Sequence, residues 1–174
     1  MIFITGGVRS GKSAFAEQLA ARFAGGNYYY VATGQAFDAE MLARIRRHQQ
    51  DRAGSEVQWR TIEMSTHFPN VQLREGDVLL FECVTTWLGN VQYESAQQNV
   101  TVASFIQQFK TCCKAWQQSG ATVIVVSNEL LDEPASHFVE VNEYRQMLGA
   151  LHQWLVAQSV EAYEVDHQIV KQWK

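Results

Sequence analysis

At 174 residues and 47% hydrophobic, the chain is large enough to bury most of its apolar surface within one globular domain. Its formal net charge of -4 argues against a dedicated nucleic-acid binder or a polybasic membrane binder, and no uninterrupted apolar stretch approaches a membrane span. The sequence runs straight into a strand, leaving no room for a signal peptide. Three cysteines without a C-x-x-C pair point to reduced thiols in a cytoplasmic protein, not a disulfide frame or zinc site.

The first predicted element is a strand over Ile2–Thr5, followed at once by GGVRSGKS. From Gly6 to Ser13 this fits G-x-x-x-x-G-K-[ST], a phosphate-binding P-loop, with a strand before it and a helix behind it. In such a loop the backbone N–H groups of Gly6, Gly7, Val8, Arg9, Ser10 and Gly11 converge on phosphates, helped by the helix dipole. Lys12 is placed to reach the β- and γ-phosphates and the Ser13 hydroxyl to ligate Mg²⁺. The helix carries Phe15, Leu19 and Phe23 at i, i+4, i+8 with Ala16 and Ala20 beside them, and Gly25-Gly26 is expected to end it.

Tyr28–Ala32 reads as a second strand. A charged helix then runs from about Asp38, a reasonable N-cap, to about Arg52. Arg44, His48 and Arg52 are spaced i, i+4, i+8 and share one face, beside an apolar strip of Met41, Leu42 and Ile45 that can dock the helix. Two guanidiniums flanking an imidazole disfavour its protonated form and create a site for phosphate oxygens. A neutral histidine in that setting suits phosphoryl or nucleotidyl transfer to nitrogen, while a solvated basic face with an incidental histidine fits the same spacing. His67, His137, His152 and His167 have no comparable setting and receive no role.

Val57–Glu63 alternates as a strand does, and Asp77–Cys83 is a continuous apolar run of the kind found in a buried parallel strand. Val78-Leu79-Leu80-Phe81 delivers Glu82 where that strand emerges, making Glu82 the candidate second acid for Mg²⁺. From about Asn99 to Gln118, Val102, Phe105, Ile106, Phe109, Cys113 and Trp116 form a helical core stripe. Thr122–Ser127 is another buried strand, and the Ser127-Asn128-Glu129 run at its end suits a nucleotide, metal or substrate contact. Tyr144, Met147, Leu148, Leu151 and Leu155 line a last helix before a final strand at Val160–Asp166. Alternating β and α elements imply an α/β domain with a largely parallel sheet, which binds ligands at the carboxyl ends of its strands. Trp87, Trp116, Trp154 and Trp173 are core residues or interface anchors.

Taken together, ITGGVRSGKS, YVATGQAFDAEMLARIRRHQQDR, WRTIE, LLFECVTTWLGN and VVSNE resemble the bifunctional adenosylcobinamide kinase / adenosylcobinamide-phosphate guanylyltransferase family of cobalamin biosynthesis. The resemblance implies a P-loop NTPase-like (RecA-like) three-layer fold, assembled as a trimer, with ATP and GTP as substrates and Mg²⁺ as cofactor. It also implies two reactions: phosphorylation of the aminopropanol hydroxyl of adenosylcobinamide, then GMP transfer from GTP to that phosphate through a guanylyl-histidine. His48 matches the guanylylated histidine through R-I-x-x-H, Arg44 and Arg52 would hold the GTP phosphates, and Glu63 of WRTIE joins the nucleotide-binding set.

The resemblance is densest from Ile2 to Asn90 and thins afterwards. Where the family has a glycine-rich G-x-G-I-V-P loop, this chain has Leu130-Leu131-Asp132-Glu133-Pro134-Ala135-Ser136, so the loop must differ. The family's F-R-D-x-x-G-x-x-N becomes a stretch from Tyr144 to His152 that keeps Arg145 and Gly149 only, and a Gly-Ile pair is missing near Val165–Ile169. Phosphate chemistry is therefore expected to persist. The alternatives are a relative with one of the two activities, or a nucleotide-binding protein without turnover.

Overall fold

Two apolar faces separate along the first strand, because successive side chains of a strand point to opposite sides. In the computed structural model, this strand, β1 (Ile2–Gly6), sends Ile2 and Ile4 to one core and Phe3 to another. The structure describes residues 1–23, 25–35, 39–98, 100–132 and 134–174; within the second helix, the side chains of Glu40, Met41, Arg44, His48, Asp51 and Ala53 lie outside the description.

After β1 come α1 (Lys12–Ala20), β2 (Tyr28–Ala32), α2 (Ala39–Ala53), β3 (Trp59–Glu63), β4 (Val78–Glu82) and α3 (Val84–Gln98). Then follow α4 (Val102–Gln118), β5 (Thr122–Asn128), α5 (Val139–Gln158), β6 (Glu161–Asp166) and β7 (Ile169–Gln172). The strands form one seven-stranded sheet in the order β3-β2-β4-β5-β1-β6-β7. Every pairing is parallel except β6 with β7.

Both faces of the sheet are covered, which explains why β4 and β5 read as unbroken apolar runs instead of alternating ones. On one face, Ala16, Leu19 and Ala20 of α1 pack on Ile4, Leu80, Ile124 and Val126. On the other, Trp87 of α3, Phe109 of α4 and Leu148, Leu151 and Leu155 of α5 pack on Phe3, Phe81, Val123 and Val125. The result is the expected three-layer α/β arrangement, with β1 flanked by β5 and β6. Among the described residues, no helix is long and apolar enough to cross a membrane. Cys83, Cys112 and Cys113 are all free thiols.

Several boundaries shift from their sequence positions. Helix α1 stops at Ala20, where the Ala21 N–H turns back to Glu17 and Leu19, so Gly25-Gly26 does not end it. Gly26 serves a close approach instead: a Cβ there would lie 2.2 Å from the Gly76 carbonyl oxygen. Helix α4 begins at Val102, capped by Thr101, whose hydroxyl accepts from the Ser104 N–H. The expected start at Asn99 and the expected N-cap Asp38 lie outside the described residues. Helix α3 and strand β7 escape the sequence reading altogether. The former follows its strand with almost no turn signal, and every residue of the latter is exposed, so no burial pattern marks it.

Candidate active site

The P-loop is formed at the sheet's carboxyl edge by chain geometry that depends on glycine. Gly6 approaches β6 so closely that a Cβ would stand 2.2 Å from the Val165 carbonyl oxygen. Beyond it, Arg9 adopts a left-handed φ of 61°, and the Ser10 N–H closes on the Gly7 carbonyl at 3.2 Å. Lys12 opens α1, and its buried ammonium donates to the Gly7 carbonyl at 3.1 Å, which holds its charge inside the loop. Val8 and Arg9 are exposed on the rim, while Ser10 is buried.

Glu82 reaches this loop from a strand that is not β1's neighbour. Strand β5 lies between them, pairing Gly6 with Asn128 and Glu82 with Val126. Across that gap the Ser13 hydroxyl donates to Glu82 Oε1 at 2.6 Å. The second oxygen, Oε2, is buried without a partner among the described residues, as are Thr5 Oγ1, Ser10 Oγ and Asn128 Oδ1. An unsatisfied buried polar atom costs about 1–3 kcal/mol, so their concentration at one edge of the sheet marks a place built for a ligand. A carboxylate with a spare oxygen beside a hydroxyl is a hard-oxygen donor pair of the kind Mg²⁺ takes, so the residues present fit that ion.

A cleft of about 640 Å³ opens from Glu82 past the ends of β2 and β3 to α2. Its walls include Tyr30, Thr33, Arg46, Arg52, Glu63 and Glu82. Arg52 is only 8% exposed and its guanidinium lies 3.7 Å from the centre of the Tyr30 ring, a cation–π contact that fixes the fork in place. Burial, followed by the Glu82 charge, pushes the Tyr30 hydroxyl above its usual range.

Leu42 and Ile45 also line the cleft, and Leu42 is 37% exposed. Of the apolar strip expected to dock α2, Leu42 and Ile45 thus face the cleft, and the Met41 side chain lies outside the described residues. Arg44 and His48 occupy turns of α2, with side chains outside the described set.

Helix α3 explains why the segment Thr85-Thr86-Trp87-Leu88-Gly89-Asn90 stands where it does. Asn90 Nδ2 donates to the carbonyls of Thr33 at 2.8 Å and Ser65 at 3.1 Å, tying the loops after β2 and β3 together. The buried Trp87 Nε1 donates to the Thr66 carbonyl at 2.9 Å. Thr33 in turn accepts from the Cys83 N–H at 2.8 Å and donates its own N–H to the Glu82 carbonyl at 2.9 Å. The mouths of three strands are thereby held against one helix. Thr33 and Arg46 carried no sequence signal of their own, since the first is an isolated threonine and the second is one of four arginines in a helix.

The described part of the loop after β5 is held without glycine. Arg145 donates from Nη1 to the Pro134 carbonyl at 2.6 Å and from Nη2 to the Leu131 carbonyl at 3.0 Å. The Glu129 carboxylate accepts from the Leu131 N–H at 2.6 Å. Side chains here do the fixing that backbone freedom would do in a glycine-rich loop.

The fold and this cradle define a P-loop, nucleotide-utilising α/β enzyme. The family profile described as cobinamide kinase / cobinamide phosphate guanyltransferase matches residues 2–170. The chain belongs to that family, as its motifs led us to expect. It is 32% identical over 181 residues to the bifunctional adenosylcobalamin biosynthesis protein CobU of Escherichia coli, covering 95% of this chain and 94% of that protein. The corresponding CobU of Salmonella typhimurium is 31% identical over 179 residues, again covering 95% and 94%. A third relative, the bifunctional adenosylcobalamin biosynthesis protein CobP of Pseudomonas aeruginosa, is 44% identical over 91 residues, 51% of this chain and 50% of its own.

Proposed function

We propose that this chain performs both reactions of its family in cobalamin biosynthesis, and that the residues gathered at the P-loop and cleft carry them. The kinase half uses a nucleoside triphosphate to phosphorylate the aminopropanol hydroxyl of adenosylcobinamide. Lys12 and the loop amides Gly6 to Gly11 hold the polyphosphate; Ser13 and Glu82 hold Mg²⁺, which when bound neutralises the developing phosphate charge. The acceptor hydroxyl attacks the γ-phosphorus and the nucleoside diphosphate leaves.

The transferase half uses GTP. A ring nitrogen of His48 attacks the α-phosphorus, pyrophosphate departs, and a phosphate oxygen of adenosylcobinamide phosphate then takes GMP from the histidine, giving adenosylcobinamide-GDP. Arg44 and Arg52 bind the triphosphate during transfer, and Glu63 lines the nucleotide's end of the cleft. The observation that carries the reading is the 2.6 Å pairing of Ser13 with Glu82 beside a spare, buried carboxylate oxygen. Assembly as a trimer belongs to the same proposal, supported by exposed apolar side chains such as Phe138 at 69% and Trp173 at 62%. So does a single-domain protein working in the cytoplasm, where free thiols persist.

Intact-mass spectrometry after incubation with Mg-GTP tests the transferase half. An acid-labile gain of one GMP, lost in His48→Ala, is expected; no adduct on a folded, GTP-binding protein would refute it. Corrinoid-dependent triphosphate consumption that disappears in Lys12→Ala tests the kinase half separately.

A further inference from the structure

Behind the phosphate site, on the opposite face of the sheet, lies a chain of buried polar groups that neither reaction uses. His152 of α5 is buried among apolar residues, its ring 5.2 Å from that of Phe3. Its Nε2 stands 2.7 Å from Ser127 Oγ, which stands 2.9 Å from Thr85 Oγ1. Thr85 Oγ1 accepts the Asn128 backbone N–H at 2.8 Å, and the Thr85 carbonyl accepts the Tyr144 hydroxyl at 2.8 Å. Ser127 is fully buried and Thr85 nearly so.

Either hydroxyl can donate in the Thr85–Ser127 contact; where Thr85 donates to Ser127, the Ser127 proton goes to Nε2 of a neutral imidazole. Burial favours that neutral ring, pushing the His152 pKa down to about 4.

Asn128 is where the chain of bonds crosses the sheet. Strand alternation puts Ser127 on the α5 face and Asn128 on the α1 face, the face that Ser13 and Glu82 share. Asn128 also pairs with Gly6, the first residue of the P-loop, and its Oδ1 is one of the unpartnered buried oxygens. We propose that His152 is a positioning residue for the phosphate site: acting through Ser127 and Thr85, it fixes the Asn128 backbone and so aims the Asn128 carboxamide beside Ser13 and Glu82. This rests on the kinase reading above. A buried network of this kind is stiff only while every member is satisfied, so one missing acceptor loosens the whole line.

The test compares His152→Leu, which fills the space without an acceptor, with His152→Asn, which restores one. For His152→Leu we expect triphosphate KM within about threefold of wild type and kcat lower by at least about tenfold, as for a misplaced reacting-site group. His152→Asn should recover most of the rate even where its melting temperature stays low. Asn128→Ala should match His152→Leu, and the double variant should be no worse than either. Unchanged kcat in His152→Leu, failure of asparagine to rescue, or additive losses overturns the proposal.

A second readout is independent of turnover. The Asn128 backbone amide resonance should shift in His152→Leu and return in His152→Asn; an unmoved resonance sinks the relay. A wild-type protein that turns over no corrinoid, yet shows these shifts, would fail the kinase reading and keep the relay.

Discussion

The guanidinium of Arg52 lies 3.7 Å from the centre of the Tyr30 ring, so a cation at the end of α2 is braced by a strand on the far wall of the cleft. Arg52 lines the cleft, and a guanidinium carries a fork of N–H donors suited to phosphate oxygens. Arg52→Lys keeps the charge but loses the fork. GTP affinity should fall at least about tenfold by calorimetry. Tyr30→Leu removes the brace, worth about 1 kcal/mol, together with the ring contact to Trp59, and should weaken GTP by about fivefold while lowering the melting temperature. Affinities within twofold of wild type in both variants would take Arg52 out of the phosphate site.

Glu82 should show opposite effects on function and on stability. Its Oε2 is buried without a partner among the described residues, so the free protein gains little from that charge. Glu82→Gln should leave the melting temperature unchanged or raised, while metal-dependent kcat falls by roughly a hundredfold or more. A drop in melting temperature of several degrees, with activity intact, would contradict both halves.

The loop after β5 depends on Arg145. Arg145→Ala frees the Leu131 and Pro134 carbonyls, and the segment around them should become the first site of limited proteolysis. The global cost should stay near 1 kcal/mol, because this side chain is partly open to water. Unaltered cleavage kinetics would show that the loop is fixed by other contacts.

His152 gives stability a pH dependence with a definite sign. Burial lowers its pKa from 6.5 to about 4, so the unfolded chain takes up a proton first as pH falls. The neutral ring's contribution is therefore whole above about pH 6.5 and is lost progressively down to about pH 4, by roughly 3 kcal/mol in all. Denaturant titrations of wild type and His152→Asn should give stability curves that converge across that window. Parallel curves would mean the ring titrates normally.

The parts of the site legible in sequence are those written in consecutive residues. The P-loop is a local pattern, and Glu82 follows four apolar residues that could only be a buried strand. Helix α2 was legible as a helix because its charges and apolar positions keep one period over many residues. What stayed hidden depends on residues far apart in the chain: His152 meets Ser127 across 25 positions, and Ser127 meets Thr85 across 42. Nothing in the run around His152 distinguishes it from a core filler, and only the fold supplies its partner. What holds the loop after β5 stayed hidden for a related reason, since its missing glycines are answered by an arginine on a later helix.

The turn between β6 and β7, at His167 and Gln168, places the Gln168 N–H against the Ser10 carbonyl at 2.8 Å. A segment translated well after the loop thus completes it. Strand β1 likewise waits for both of its neighbours, β5 and β6, before both of its edges are covered. On the ribosome the phosphate loop must emerge long before it can take its shape, with an apolar strand unpaired beside it. Nucleotide capture by this protein therefore waits on β6 and β7, and products truncated before them should be insoluble before they are inactive.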